Sequence, residues 1–562
     1  KTWKFIDNIP NAQFYDIGID TRDPYWIYGG AQDHGTYGLP SRTDSRMGIT
    51  NSDVVLVAYG DAFYCVVDPD NPDIIYTENQ EGRLVFKNMK THEERILRPV
   101  PENPDEVYRF NWKCPLVMSP HDSRTLYYGG NKIFKTSDQG HSWEVISPDL
   151  TKNQDWKKLP IMETERTEET LSLNDGKAHY GTITTISESP VQAGLIYAGT
   201  DDGNVKMTKD GGKIWEDQSK GFRLPGGPRW VSCVLASHHG PDRAYACFDG
   251  HRDDDFTPYI FKTEDFGKTW KKISGGIPEG MTVNTVMEHP RNPNLLFAGT
   301  EFGLFISVNG GSSWLRARGN LPCVPIDDII VNARDNDLVL GTHGRGVFIL
   351  DDIGMLEHVN ESMLDSGSHL FPPRMTTQFF ETRLLPTPAQ GKFRAPNPDY
   401  GALITYYLKD DPPPEGKPGN KPQVKIIIMR NDGEIIRELE GPDQKGFSRI
   451  NWDLRYPLSF DPTGVRPVYR WPVKGPFVLP GEYTVKLISR NQEMIQQVKV
   501  RLEPQIKANP EAIRARFETS MTVSEMQRAV VECRKATAEI EEELKRIKGI
   551  LKNKDRENIP ER

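Results

Sequence analysis

Short apolar runs separated by turn residues dominate the first two thirds of the chain. Leu195-Ile-Tyr-Ala-Gly199 and Leu295-Leu-Phe-Ala-Gly299 are typical, because each is only a few residues long and ends in glycine before a polar stretch. Runs of this length, bounded by Gly, Pro, Asn and Asp, predict β-strands and not helices. Equivalent runs recur seven times, at 26–29, 74–76, 126–129, 195–199, 244–247, 295–299 and 338–341.

A polar octapeptide follows several of these units. Its first copy is Thr136-Ser-Asp-Gln-Gly-His-Ser-Trp143, and the pattern S/T-x-D-x-G-x-[ST]-W is known as the Asp box. The carboxylate and hydroxyl can bond the backbone of a tight turn, glycine supplies a positive φ, and the indole packs between sheets. We therefore predict a structural role for the box residues, which are Asp138, Trp143, Asp210, Trp215, Asp265, Trp270, Asn309 and Trp314, with Ile214 the one departure in the second copy.

The repeat as a whole predicts a seven-bladed β-propeller over residues 1–352. Each unit has an apolar strand, a second strand, a third strand that runs into the box, and a fourth that begins at the Trp. The seventh unit has three such strands, and residues 3–10 match the fourth strands of other units. The N-terminal strand is therefore expected to complete the last blade and to cover its edge.

The pattern changes after the propeller. Residues 353–396 have no clear period and contain Pro372-Pro373, so we predict a linker. Residues 397–505 return to β alternation, with the hairpin signal Asp432-Gly433, and suit an immunoglobulin-like sandwich of about 100 residues. Residues 506–562 are predicted to be helical, which makes the fold class all-β with a C-terminal helical segment.

The helical segment carries a heptad seam from 523 to 551. Apolar or small residues recur there at spacings that alternate between three and four. Charged residues occupy most of the remaining positions. One interpretation is a helix that packs on the sandwich or on another helix of the same chain. The other is helix-mediated assembly with another chain.

Composition narrows the function classes. The formal net charge is −9 and no basic face is evident, which argues against nucleic acid as a partner. No apolar run reaches the length of a membrane span. The six cysteines have neither CxxC nor zinc-site spacing, and the sequence leaves open whether Cys233 and Cys247, on neighbouring predicted strands, are bonded.

Loops between second and third strands share one face of a propeller, so their polar residues define a candidate site. Such a polar, mostly acidic rim suits a glycan, a peptide with basic groups, or a cation. The alternative is ordinary turn chemistry, because Asp, Asn and Gly populate tight turns anyway. The candidate ligand-binding residues are Gln32, Asp33, His34, Glu78, Asp201, Asp202, His251, Arg252, Glu301, His343 and Arg345.

Catalysis and metal binding have weaker support in the sequence. Glycoside hydrolysis needs two carboxylates facing each other across a sugar. Candidates are Asp33, Asp202, Asp253 and Glu301, and no spacing singles out a pair. The run Asp253-Asp254-Asp255 could hold calcium, although it lacks EF-hand spacing. No other cofactor is indicated.

The boxes and a second set of motifs resemble the sortilin-type, or BNR-repeat, propeller proteins of bacteria. These motifs are Gly30-Ala-Gln-Asp-His-Gly35, Gly199-Thr-Asp-Asp-Gly203, Gly299-Thr-Glu-Phe-Gly303 and Gly341-Thr-His-Gly-Arg-Gly346. The resemblance implies an exported, extracytoplasmic protein with a second propeller upstream of Lys1. Members of this class are loosely labelled glycosyl hydrolases, but Asp-box propellers also include receptors and assembly factors, so the label defines the fold better than the activity.

Taken together, the sequence predicts an exported, non-catalytic scaffold whose propeller loop face binds a glycan or a protein. The alternative is a glycoside hydrolase that acts on a polysaccharide at a cleft between two propellers.

Overall fold

A computed structural model describes residues 11–155, 158–160, 167, 169, 179–382, 394–411, 424–461, 473–489 and 492–557. It divides into two compact units. The first comprises Lys1–Asn360 and Glu381–Pro398, and the second comprises Glu361–Phe380 and Asp399–Arg562.

In the described part of the first unit, seven antiparallel sheets follow one another along the chain. Sheets 1 to 6 have four strands each and sheet 7 has three, while β4 pairs with β31 outside them. Sheet 1 is β1 (Phe14–Ile19), β2 (Trp26–Ala31), β3 (Gly35–Pro40) and β5 (Val55–Ala58); sheet 2 is β6 (Ala62–Val67), β7 (Ile74–Asn79), β8 (Arg83–Asn88) and β9 (Glu94–Ile96); sheet 3 is β10 (Leu116–Ser119), β11 (Asp122–Gly129), β12 (Ile133–Thr136) and β13 (Glu144–Val145). Sheet 4 is β14 (Ile183–Glu188), β15 (Ile196–Thr200), β16 (Val205–Thr208) and β17 (Glu216–Asp217); sheet 5 is β18 (Trp230–Ala236), β19 (Ala244–Gly250), β20 (Asp255–Thr263) and β21 (Lys271–Lys272); sheet 6 is β22 (Val283–Glu288), β23 (Leu296–Thr300), β24 (Gly303–Ser307) and β25 (Leu315–Arg316). Sheet 7 is β26 (Ile326–Asn332), β27 (Asp337–Thr342) and β28 (Gly346–Leu350), and the outlying pair is β4 (Ile49–Thr50) and β31 (Arg394–Ala395).

The first strands of the sheets contact one another in cyclic order. Each first strand touches the first strand of the next sheet, and β26 of sheet 7 returns to β1 of sheet 1. Apolar clusters fill the spaces between neighbouring sheets. Radial sheets around a closed inner circle are the architecture of a β-propeller. The predicted closing strand at 3–10 lies outside the described residues.

Glycine at the end of the second strand lets the sheets approach closely. A Cβ on Gly30 would lie 2.3 Å from the backbone N of Phe63 in the next sheet. A Cβ on Gly199 would lie 2.3 Å from Cγ1 of Val231, and one on Gly299 would lie 2.7 Å from the carbonyl O of Ile326. Each contact falls where the next sheet's first strand begins, which explains the glycine at this place in the repeated second-strand motif.

The Asp-box turns are held by bonds within the turn. In the first copy, Asp138 accepts hydrogen bonds from Thr136 Oγ1 at 2.7 Å and from the backbone N and Oγ of Ser142 at 2.9 and 2.6 Å. The same carboxylate or amide contacts recur at the turns of Asp210, Asp265 and Asn309.

The box indoles pack toward the preceding sheet. The indoles of Trp215 and Trp314 donate to the carbonyls of Ile146 and Ile273 at 2.9 and 2.7 Å. Trp270 lies beside Phe222, which follows sheet 4, with ring centroids 4.7 Å apart, whereas Trp143 lies 6.2 Å from Tyr128 of its own sheet. These turns connect third to fourth strands, at the opposite strand ends from the candidate loops.

The second unit has two sheets around one apolar core. The smaller sheet has the order β29-β32-β35 and the larger has the order β30-β37-β36-β33-β34, with β30 parallel to β37. Trp452 and Tyr406 are fully buried between them. The strands are β29 (Ser368–Leu370), β30 (Thr376–Gln378), β32 (Ala402–Leu408), β33 (Val424–Arg430), β34 (Ile435–Gly441), β35 (Gly446–Trp452), β36 (Gly481–Ser489) and β37 (Gln492–Leu502).

The segment predicted to be a linker divides between the two units. Residues 361–380 supply helix α1 (Glu361–Asp365), β29 and β30 to the second unit, and 381–398 belong to the first. Strands of three residues are too short to show a period, so the sequence pattern missed them.

The helical segment forms one long helix, α2 (Pro510–Glu557). Asn509 Oδ1 accepts a hydrogen bond from the backbone N of Glu511 at 2.8 Å, and proline occupies the first helical position. No helix in the described part of the chain is long and apolar enough to cross a membrane.

Candidate functional site

A β-bulge lies near the start of the innermost strand in several sheets. The register shifts at Tyr15, Thr184, Ser232, Asn284 and Asp327, one in each of sheets 1, 4, 5, 6 and 7. A bulge places one unpaired residue out of the alternation and re-aims its side chain. These five residues occupy equivalent positions, at the strand end nearest the second-to-third loops.

Three of the bulge side chains clamp the next sheet. Thr184 Oγ1 donates to the carbonyl of Val231 at 2.7 Å, and Ser232 Oγ donates to the carbonyl of Val283 at 2.9 Å. The amide of Asn284 donates to the carbonyl of Ile326 at 3.3 Å. Each acceptor directly precedes the bulge of the neighbouring strand, so one hydrogen-bond pattern repeats from sheet 4 to sheet 7.

Asp327 breaks this pattern. It occupies the clamp position of sheet 7, but an ionised carboxylate cannot donate a hydrogen bond. It instead accepts from the amide of Asn284 at 3.2 Å, and its other oxygen lies 3.0 Å from Nδ1 of His343. A position that elsewhere joins sheets therefore presents a negative charge to the second-to-third loops.

Glu301 interacts electrostatically with Asp327 and with three further loop and strand-end residues, and together the five form the rim cluster (Asp249, His251, Glu301, Asp327 and His343). His251 Nδ1 lies 2.6 Å from a carboxylate oxygen of Asp249. Burial raises the pKa of Glu301, and the negative charges of Asp327 and Asp249 raise it further. The positive charges of His251 and His343 lower it in part. The hydrogen bond with Asp327 raises the pKa of His343. Sheets 5, 6 and 7 thus bring three carboxyls and two imidazoles within electrostatic range.

Aromatic and amide side chains of sheet 1 border the rim cluster. The ring of Tyr15 lies edge-on to His343, with centroids 5.5 Å apart, and its hydroxyl donates to Gln32 Oε1 at 2.5 Å. The predicted residues Asp33 and His34 are exposed in the same loop. Asp33 adopts a positive φ of 61°, and its backbone N bonds Asp61 Oδ1 at 2.7 Å.

Two predicted carboxylates of sheet 4 are buried structural groups. Asp201 accepts hydrogen bonds from the backbone N of Gly181 and from the N and Oγ1 of Thr182. Burial nevertheless raises its pKa to about 7. Asp202 accepts from Thr200 Oγ1 at 2.5 Å and from the backbone N of Lys152 at 2.6 Å. Both carboxylates are therefore buried and hydrogen-bonded within the chain, and their predicted role stays a prediction.

Glu78 does not line the rim either. It was predicted to follow a second strand, but β7 continues to Asn79, so residue 78 lies within the strand and is fully buried. Its side chain lies beside Cys114 between sheets 2 and 3, and burial raises its pKa well above the ordinary range.

The remaining candidates lie on exposed loops without forming one site. Arg252 stacks over Trp230, 4.2 Å from the ring centroid, and bonds Asp249 at 3.0 Å. Arg345 is exposed beside His343.

Cys233 and Cys247 face each other across β18 and β19 as free thiols.

The predicted calcium run does not converge on one point. Asp255 and Asp253 both face Arg229, at 3.2 and 3.8 Å. Within the described ranges no three His, Cys, Asp or Glu side chains are grouped so as to hold a metal ion. Asp253 therefore lies beside a cationic side chain of the chain's own, that of Arg229.

Sequence reasoning missed Tyr15, Asp249, Asn284 and Asp327. A usable signal was present, since a polar residue interrupts otherwise apolar first strands at the same place, as in Val283-Asn-Thr-Val and Ile326-Asp-Asp-Ile. Comparing these interruptions across units would have distinguished Asp327 from the hydrogen-bond donors Thr184, Ser232 and Asn284.

The sequence matches no protein-family model and no curated protein. Among solved structures, YCF48 bound to D1 peptide is similar with a TM-score of 0.39 and 11% sequence identity, covering 62% of this chain and 96% of that chain. YCF48 from Cyanidioschyzon merolae has the same TM-score of 0.39 and 11% identity, covering 63% of this chain and 99% of that chain. At this level of similarity neither structure informs the ligand or the activity of this chain.

Proposed function

We propose that this chain is a non-catalytic binding protein whose rim cluster holds a basic side chain of a protein partner. The observation that carries the proposal is Asp327, an acid at a position where other sheets have a hydrogen-bond donor that clamps the next strand. Proteins tend to break a local structural rule where function requires it. Sheets 4, 5 and 6 keep the clamp, whereas sheet 7 lacks it at the bulge that lies beside His343.

Charge and surface character support a cationic partner. Glu301 is exposed, and its pKa is raised in part by Asp327 and Asp249, so an added positive charge would relieve repulsion among the three carboxyls. Exposed Phe302 follows Glu301, and Tyr15 lies beside His343. A carboxyl cluster bordered by aromatic side chains suits Lys or Arg within a peptide, through charge pairing and cation–π contact.

The test is a selection of peptides from a random displayed library on the full chain. We expect enrichment of Lys and Arg, and loss of binding by about tenfold in E301Q and in D327N, as for the removal of one charged hydrogen-bonding partner. E144Q is the matched control, because Glu144 is exposed on β13, in the outer strand of sheet 3. Selected peptides that bind E301Q and D327N as well as the unaltered chain would refute the proposal.

One observation favours the alternative of a glycoside hydrolase. A carboxyl with a raised pKa beside an ionised one is the arrangement of an acid and its partner in these enzymes. Glu301, whose pKa is raised by burial and by the charges of Asp327 and Asp249, fits the acid of such a pair. Turnover of any member of a polysaccharide panel that is abolished by E301Q and kept by E144Q would establish this function.

The proposal includes three finer points. The ring would be a seven-bladed Asp-box propeller, the second unit's sandwich would be immunoglobulin-like, and the protein would act outside the cytoplasm, as the resemblance to exported BNR-repeat proteins implies. Protease treatment of intact cells tests the last point, since an external protein is cleaved while cytoplasmic markers survive.

A further inference from the structure

Helix α2 uses one face to pack on its own unit. Ser459 Oγ donates to the carbonyl of Ser524 at 2.8 Å, the ring of Phe517 lies 5.8 Å from that of Tyr456, and Val531 is buried. These helix positions are spaced by seven residues, so they form a single stripe. The first half of the helix is anchored through this stripe.

A second stripe of α2 has no cover within the part of the chain that the structure describes. The heptad seam lies on it, and from 532 to 552 every residue of the helix is exposed. The large seam side chains are between 42% and 62% exposed: Val523, Met526, Val530, Ile540, Leu544, Ile547 and Leu551. Seam positions 526–551 extend over about 38 Å of helix. An apolar stripe of that length beside charged faces is typical of a coiled-coil strand.

The sizes of the seam residues favour a partner of the same sequence running the opposite way. In an antiparallel pair centred between 538 and 539, three of the four layers join a smaller residue to a larger one, and the fourth joins two residues of similar size. The facing layers are Thr537 with Ile540, Cys533 with Leu544, Val530 with Ile547 and Met526 with Leu551. A parallel pair would instead stack Cys on Cys and Thr on Thr, then Ile on Ile and Leu on Leu. Pairing small with large fills each layer evenly.

Charge gives the same register. In the antiparallel pair Arg534 of each helix flanks the seam opposite Glu541 of the other, and this contact occurs twice by symmetry. The surrounding residues extend the match, since Lys535 adjoins Arg534 and the acidic run 541–543 contains Glu541. In a parallel pair the partners of Arg534 and Glu541 would be Ala529 and Ala536, so this complementarity would be unused.

We propose that the seam of α2 is a homodimerisation surface, on which a second copy of this helix binds antiparallel through residues 526–551. This interaction is independent of the rim cluster, which lies in the other unit, so either proposal can fail alone.

Sedimentation of the full chain tests the association. We expect a dimer whose dissociation constant rises about tenfold in R534E, since two exposed ion pairs become repulsive. Arg534 has no acidic residue three or four positions away on its own helix, so the substitution leaves helical pairs intact. The double variant R534E/E541R should recover the original constant. A monomer at all concentrations, or a dimer unaffected by R534E, would overturn the proposal.

I540K tests the seam itself, with A538K as its matched control. Both place one lysine on the exposed part of the helix, but only position 540 belongs to the seam. I540K should be monomeric and A538K dimeric, and equal unfolding of the second unit, which contains α2, shows that both variants still fold. Dimers of I540K as stable as those of A538K would exclude the seam as the interface.

Disulfide trapping determines the orientation. In a C323S background, which removes the other exposed thiol, L544C should form cross-linked dimers with glutathione disulfide, through bonds from Cys533 to the introduced thiol at position 544. Residues 533 and 544 of one helix are about 16 Å apart, so this bond must join two chains. C323S alone and C323S/K545C should stay uncrosslinked, because their thiols do not face each other. Cross-linking of C323S alone would indicate a parallel pair and refute the proposed orientation.

Discussion

Nδ1 of His343 lies 3.0 Å from Oδ2 of Asp327, and the two residues lie at the same end of the paired first and second strands of sheet 7. Asp327 is the bulge residue of the first strand of sheet 7, and His343 directly follows the second strand. Their backbones are joined through neighbouring ladder positions, so the pair is fixed by the sheet itself. The pKa of His343 therefore depends on the charges of neighbouring rim-cluster residues.

The first prediction concerns the titration of His343. Asp327 raises the pKa of His343 above its ordinary value of 6.5, so D327N should lower it. A raised histidine pKa stabilises the folded state below about pH 6.5, and that contribution is lost as pH rises through the folded value. NMR titration of the imidazole resonances, with D254N as a control on an exposed neighbouring loop, measures the change. An unaltered His343 pKa in D327N would show that the hydrogen bond does not persist in solution.

The same titration predicts how partner binding depends on pH. Protonated His343 adds positive charge beside Glu301, whereas neutral His343 leaves the carboxyls to a cationic ligand. Affinity for a Lys- or Arg-containing peptide should therefore increase as pH rises through the raised pKa of His343. Calorimetric binding at several pH values tests this, and affinity that falls over the same range would exclude a cation as the ligand.

Buried Glu78 provides a separate pH-dependent prediction. Its pKa is raised by burial, so its contribution to stability is present below the ordinary value of 4.5 and is lost as pH rises through the folded value. E78Q keeps the shape and removes the titration, so it should stabilise the chain more at pH 8 than at pH 5. Urea unfolding at both pH values is the measurement. E144Q, at an exposed position, is the control, and an equal difference between the two pH values in both variants would contradict the prediction.

The repeat made much of the first unit predictable because its strongest signals are chemical. Gly30 and Gly299 lie where neighbouring backbones nearly touch, and the Asp138 turn requires its carboxylate, so both leave a mark in the sequence. The propeller class and the β-rich second unit follow from such marks. The spacing of the heptad residues likewise predicted the helix that begins at Pro510.

The candidate site was less predictable, because convergence depends on strand ends and bulges. Three additional residues of strand moved Glu78 from a loop into the space between sheets. All second-to-third loops are alike in composition, so Asp201 could not be distinguished from Glu301 until its hydrogen bonds were known. The bulges are marked only by a polar interruption that becomes visible when the first strands of several units are compared, so Asp327 does not stand out within its own strand.

Close contact between sheets predicts a large effect of G30A. The added Cβ would lie 2.3 Å from the backbone N and 2.4 Å from the carbonyl O of Phe63, and neither can move without shifting sheet 2. We expect a loss of about 3 kcal/mol in unfolding free energy, at the upper end of overpacking costs. A Cβ on Gly275 would have no atom within 4 Å, so G275A is the control and should change stability little. Similar losses in the two variants would show that the sheets are farther apart than described.

The Asp-box turn of sheet 5 predicts a graded response at Asp265. Its carboxylate accepts from the backbone N and Oγ of Thr269 at 2.9 and 2.6 Å, and these bonds lower its pKa. D265A should therefore cost about 1–2 kcal/mol, the scale of lost turn hydrogen bonds. A lowered pKa stabilises the fold above the ordinary value of 3.8, so the difference between D265A and the unaltered chain should shrink in acid. D265N should cost less than D265A, because Asn309 already keeps the same turn by accepting from Ser313 N at 2.9 Å and donating to Ser313 Oγ at 2.8 Å. Urea unfolding of the unaltered chain, D265A and D265N measures these differences. Equal losses of unfolding free energy in D265A and D265N would mean that the turn depends on charge and not on hydrogen-bond geometry.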